Sequence, residues 1–119
     1  MSVLANAIYA ILRTLVPAAT AKITYEDLVS QLGPMPPPSQ NLQAYDNRLF
    51  VALGEIVTRC QQLGLRMIPA IVVRKDEQTP GDGYYPIAHP MNPRDTVQEM
   101  IAWGNEVTEV RRRTYPPTI

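Results

Sequence analysis

Apolar residues recur at three- and four-residue spacing at the start of the chain: Val3, Leu4, Ala7, Ile8, Ile11, Leu12 and Leu15. That spacing is the period of one helix face and predicts a helix over residues 2–15, stopped by Pro17. A second, short helix is predicted over residues 25–32. Thr24 stands at the capping position with Asp27 three residues on, Ile23 and Leu28 bracket the start as a hydrophobic staple, and Gly33 supplies the stop. A third helix is predicted over residues 47–63. Its apolar stripe is Leu49, Leu53, Ile56, Val57, Cys60 and Leu63, and Gly64 lies past its end. Arg48, Glu55, Thr58, Arg59, Gln61 and Gln62 take the opposite face.

Residues 34–46 separate helices two and three. Pro36-Pro37-Pro38 forbids a helix there, so an extended, polyproline-like connection is expected, which also offers a PxxP ligand to an SH3-like partner.

After the third helix the period shortens to two. Ile68, Ala70 and Val72 alternate with Met67, Pro69, Ile71 and Val73, which predicts a strand over residues 67–73. Pro69 cannot donate to a ladder, so an exposed edge or a bulge is expected there. Pro80, Gly81 and Gly83 read as a turn, and Tyr84 and Tyr85 open a return strand over residues 84–88, completing a β-hairpin. A last helix is predicted from Asn92-Pro93 to about residue 113, with Asn92 as cap. Val97, Met100, Ile101, Trp103, Val107 and Val110 are its expected buried side, Arg111-Arg112-Arg113 complement its C-terminal dipole, and residues 114–119 form a tail.

Helix, short capped helix, helix, β-hairpin is the order of a winged helix. The expected fold is therefore α+β: one winged-helix-like domain over residues 1–119, with three helices, a β-hairpin and a C-terminal helix packed on its back. Helix three would be the recognition helix and residues 76–83 the wing tip.

Composition adjusts this picture. A chain of 119 residues suits one domain with one modest core, and 45% hydrophobic with 18% charged residues is ordinary for a globular protein. Net charge is zero, which excludes the strongly basic class that coats nucleic acid without specificity but leaves room for a local basic face. A single cysteine, Cys60, can form neither an internal disulfide nor a cysteine-built metal site, and suits a reducing cytoplasm. Asn6 and Arg13 interrupt the first apolar run, so neither a signal peptide nor a membrane anchor is expected.

The search for chemistry yields little. His89 is the one histidine, set between Ala88 and Pro90, and reads as structural. Cys60 sits on a helix stripe and reads as a small core residue. Asp76, Glu77 and Asp82 read as a solvated turn rather than a cation site, and residues 79–83 lack the lysine and following helix of a phosphate-binding loop. The expectation is a non-enzymatic protein without cofactor or metal.

The segments ITYEDLVSQLG and LRMIPAIVVRKDEQTPGDGYY, followed by a C-terminal helix with Trp103, resemble a group of small bacterial and phage proteins. Those carry an ITYGELA start and an LVV-K-TG-PG-GF hairpin; the likeness covers most of the chain and is most specific over residues 72–84. A more distant likeness is to the winged-helix domain of DNA alkyltransferases and alkyltransferase-like proteins, in which Arg48 would stand near the arginine-bearing helix start. Where those enzymes have a reactive Pro-Cys-His-Arg, this chain has Ile68-Pro69-Ala70-Ile71, so the likeness does not imply alkyl transfer.

Two functions follow as expectations. One is binding of double-stranded DNA, with Arg48, Arg59 and Gln62 (or Gln61) on helix three, Arg74 and Lys75 on the wing, and Tyr84 beside them. The other is a protein-interaction module that binds a host or defence protein through the wing and the Pro-rich connection. A homodimer through the first or the last helix is compatible with both.

Overall fold

The computed structural model describes residues 1–33 and 42–119. The Pro-rich connection and its PxxP motif fall largely in residues 34–41, outside the described residues.

The first three helices form where local chemistry places them. Helix α1, Val3–Leu15, starts where the Ser2 hydroxyl accepts the Ala5 N–H at 3.1 Å, and it buries Leu4, Ala5, Ile8, Tyr9 and Leu12. Strand β1, Ile23–Thr24, runs directly into helix α2, Tyr25–Leu32, whose Asp27 N–H is capped by the Thr24 hydroxyl at 3.1 Å. Helix α3, Asn47–Gln62, is capped by Asp46 and buries Leu49, Leu53, Ile56, Val57 and Cys60. It ends in a Schellman arrangement: Gly64 sits at φ +69°, its N–H reaches Gln61 O at 3.3 Å, and Leu65 N–H reaches Cys60 O at 2.9 Å. α1 packs on α3 and on α2.

The stretch after α3 departs from the expected hairpin. Ile68–Ile71 is a 3-10 turn with all four residues buried, and strand β2 is confined to Val72–Val73. Four consecutive buried side chains cannot alternate between a wet and a dry face, and Pro69 has no N–H for a ladder. β2 pairs in parallel with β1, Ile23 against Val72 and Thr24 against Val73. The expected return strand is helix α4, Tyr84–Ala88. Tyr85 and Ala88 are its buried residues, at helical spacing, and Pro86 falls in the first turn, where a missing N–H costs nothing. The chain between β2 and α4 is tied back elsewhere: the Tyr25 hydroxyl accepts the Gly81 N–H at 2.8 Å. A Cβ at Gly81 would lie 3.0 Å from that oxygen, so a side chain there would press on the bond.

Helix α5, Thr96–Val110, is capped by Asp95, whose carboxylate accepts the Gln98 N–H at 3.0 Å; Asn92 is not the cap. Its burial reverses the expectation for its first half. Val97, Met100 and Ile101 are 67%, 43% and 52% exposed, whereas Glu99 and Glu106 are 2% and 5% exposed. Three bonds set this rotation. Glu106 accepts the Met67 N–H at 2.7 Å and the Arg66 guanidinium at 3.1 Å. The Trp103 indole N–H donates to Ala70 O at 2.8 Å. The residues expected as a tail are docked: Tyr115 is buried and its hydroxyl donates to Arg66 O at 2.6 Å, while the Tyr9 hydroxyl donates to Pro116 O.

The result is a helix-dominated mixed domain with five α-helices and a two-stranded parallel sheet among the described residues. Its radius of gyration is 13.5 Å, the value of roughly 13–14 Å expected for one compact domain of this length. No helix of the described residues is long and apolar enough to cross a membrane.

Replacing Glu106 by Ala leaves the part-buried Met67 N–H without this partner and is expected to cost about 2 kcal/mol in urea unfolding. Val97→Ala, on the outward side of the same helix, is expected to change stability by less than about 0.5 kcal/mol. The opposite ranking would contradict this rotation of α5.

Candidate functional site

The outward edge of α3 meets α4 in an open groove of about 970 Å³. Phe50, Val51 and Gly54 of α3 form one side, Tyr84 and Ile87 of α4 the other, and Leu53, Val57 and Pro69 also line it. Gly54 lies against α4: a Cβ there would meet the tip of the Ile87 side chain, its Cδ1, at 3.2 Å. At one end Phe50 joins an aromatic cluster, its ring centroid 5.6 Å from Tyr25 and 6.5 Å from Tyr45. Glu55, Arg59 and Gln62 supply polar groups on the α3 side.

Three of the six expected contact residues meet here. Arg59, Gln62 and Tyr84 all line the groove, with Arg59 Nη1 3.4 Å from Gln62 Oε1. Arg48, Arg74 and Lys75 do not line it. Arg48 is held by Asp46 through two guanidinium bonds of 3.1 and 2.7 Å. Arg74 lies 3.7 Å from Glu77 and 3.5 Å from Asp82 in the turn after β2, and Lys75 is exposed in that turn. The charges expected to form a single wing-to-helix face are thus divided, and two of the arginines already face carboxylates.

No protein-family model, curated protein or solved structure matches this chain.

Tyr84, on the groove wall, shares a hydrogen bond with His89, Oη to Nε2 at 2.9 Å. Burial raises the Tyr84 hydroxyl well above the ordinary phenol range, and the charges of Glu106 and Tyr85 act in the same direction. Burial also lowers His89, against the opposing pull of Glu106 and Glu99. A protonated tyrosine and a neutral imidazole share this bond, a geometry that fixes the two rings but does not generate a nucleophile. Cys60 is fully buried and burial raises its thiol, in keeping with a core role. Among the described residues no three His, Cys, Asp or Glu side chains converge on a metal position.

Sequence reasoning missed the apolar part of the site. Val51 falls on the stripe Arg48–Val51–Glu55–Thr58–Gln62, at three- and four-residue spacing along the polar face of α3. One apolar residue on a polar stripe was the available signal. Ile87 gives no such signal, because the pattern over residues 84–88 predicts a strand where the structure has α4.

Asp46 gives this region a pH signature. Bonds from the Arg48 guanidinium and backbone N–H hold its carboxyl down at about 2. A folded value below the unfolded value of about 3.9 stabilises the fold above that range, and the benefit is lost as pH falls toward 2. Asp46→Asn keeps a capping oxygen and removes the charge. It is expected to lower the melting temperature at pH 6 and to make its decline between about pH 4 and pH 2 shallower. An unchanged slope would contradict the pairing.

Proposed function

We propose that this chain is a binding module, not an enzyme, whose α3–α4 groove receives an apolar-anchored segment of another protein. The observation that carries this reading is exposed apolar surface inside a concavity: Val51 is 55% and Ile87 42% exposed, on the two sides of one groove. Water over such surface is released when an apolar side chain replaces it, and concave sites of this size hold peptide anchors well. The groove follows a helix edge, so the fitting ligand is an amphipathic helix or an extended segment with closely spaced apolar residues. Arg59 at the edge favours a carboxylate beside those anchors. The partner class is a host or defence protein in a cytoplasmic setting.

A nucleic-acid reading keeps one observation in its favour, the meeting of Arg59, Gln62 and Tyr84 on α3 and α4. Three helices precede β2 in the chain, which supports this reading, but a 3-10 turn comes before β2 and a helix follows it in place of a wing. In that reading α3 is offered to a DNA duplex, with few cations to hold it.

Selection of displayed random peptides against the intact chain separates the two. The protein-binding reading predicts enriched peptides with apolar anchors, bound roughly tenfold or more weaker by Val51→Glu at unchanged circular dichroism. Peptides that bind the variant equally well, or no enrichment at all, count against it. The nucleic-acid reading predicts duplex binding at about 50 mM salt that weakens as salt rises, and binding without a salt slope removes it.

A further inference from the structure

The chain is neutral as a whole, but its charge is unevenly spread. Residues 1–25 contain no carboxylate, and neither do residues 56–75 or 110–119. The fold brings arginines from all three stretches together at the C-terminal end of α5. The Arg13 guanidinium lies 3.5 Å from Tyr115 O, and its buried Nε has no hydrogen-bond partner. Arg111 donates from Nε to Ala21 O at 2.9 Å. Arg66, Arg112 and Arg113, all exposed, line one concavity of about 800 Å³ beside Tyr115. Among the described residues, two carboxylates meet this cluster, and both belong to α5. Glu106 is buried and takes Arg66 together with the Met67 N–H. Glu109 is shared by Arg113 at 2.9 Å and Arg112 at 3.7 Å. The Arg113 bond, with the charges of Arg66 and Arg112, holds Glu109 below the usual carboxylate range, so the three guanidiniums act on one point. Each guanidinium carries five N–H donors, more than two carboxylates can use across three exposed arginines. The balancing acids lie in the turn of residues 76–82 and beside Tyr45, whose hydroxyl the Glu26 bond and the Asp76 charge both raise.

We propose that this end of the molecule binds the phosphodiester backbone of a nucleic acid, with Arg66, Arg112 and Arg113 on its phosphates. A guanidinium fork matches phosphate oxygens two at a time, and a strand offers such groups in series to arginines that stand side by side. A protein partner fits the surface less well. Contacts between proteins gather around an apolar centre, and none of the large apolar side chains exposed on this molecule lines the concavity. Tyr115 is buried, and its hydroxyl is spent on Arg66 O. Gln61 already donates to Ile87 O at 3.0 Å, so no side-chain amide here is set to read a base edge, and the contact senses charge without sequence. The acids of the 76–82 turn repel the same strand, so the chain meets it with one end. This site is separate from Arg59 and Gln62 on α3 and does not rest on the peptide-binding reading of the groove.

Fluorescence anisotropy of a labelled duplex of about 20 base pairs, titrated with the full chain from about 20 to about 200 mM salt, tests it. The expected dissociation constant is on the order of 10⁻⁵ M near physiological salt, weaker as salt rises and equal for two unrelated sequences. The doubly substituted Arg112→Gln, Arg113→Gln chain is expected to bind roughly tenfold or more weakly at low salt, with an unchanged far-ultraviolet spectrum. Its salt slope is expected to be shallower by about 0.9 for each arginine removed. Arg59→Gln on α3 is expected to change neither affinity nor slope. No binding at about 20 mM salt, a slope unmoved by the double substitution, or an equal loss with Arg59→Gln would each overturn the proposal. Displacement of the duplex by polyglutamate at equal charge concentration would overturn it too, and would assign these arginines to acidic proteins.

Discussion

The carboxylate of Glu106 is the constraint from which most of this structure follows. It reaches into the fold to accept the Met67 N–H at 2.7 Å and the Arg66 guanidinium at 3.1 Å. A part-buried backbone donor at the start of the 3-10 turn thereby gains a strong, charge-assisted partner. The Trp103–Ala70 and Tyr115–Arg66 bonds fasten the same short stretch from both sides. With residues 66–71 held in this way, β2 is delivered beside β1 in parallel register, and α5 has one permitted rotation about its axis.

That rotation has a consequence for the surface. A helix that buries its acids presents what remains, and what remains on the first half of α5 is apolar and neutral. A second apolar surface arises separately where α4, in place of a return strand, lies against Gly54 and opens the groove on α3. Both surfaces depend on positions where ordinary amphipathic logic is reversed: apolar residues outside, on Val51 of α3 and on Val97, Met100 and Ile101 of α5.

The division between what could and could not be read from the chain is physical. Capping is local chemistry, so Thr24 and the stop at Gly64 placed the ends of α2 and α3 within a residue. Period gives most of the stripes of α1 and α3: Leu4, Ile8 and Leu12, and Leu49, Leu53, Ile56, Val57 and Cys60, are buried, whereas Val3 and Leu63 are exposed and Ala5 and Tyr9 take buried places outside the expected stripe. The segment from residue 65 to 88 was misread because alternation and full burial look alike in a short apolar run such as Met67 to Val73. Period also fails for the first half of α5, although Val107 and Val110 are buried as it predicts. A glutamate is counted as outward by any hydropathy pattern, and the donors that draw Glu106 inward come from residues 66 and 67, forty positions away in the chain. The groove divides in the same way: Arg59, Gln62 and Tyr84 are legible as polar contacts, but the wall that carries Ile87 rests on α4, where the pattern reads as a strand.

Amide hydrogen exchange at Met67 tests the account most directly. If Glu106 holds that N–H inside the fold, it exchanges with the slow amides of buried α3 residues such as Leu53 and Ile56. Exchange as fast as that of exposed Lys75 would mean that the carboxylate does not hold the turn, and the rotation of α5 would lose its cause.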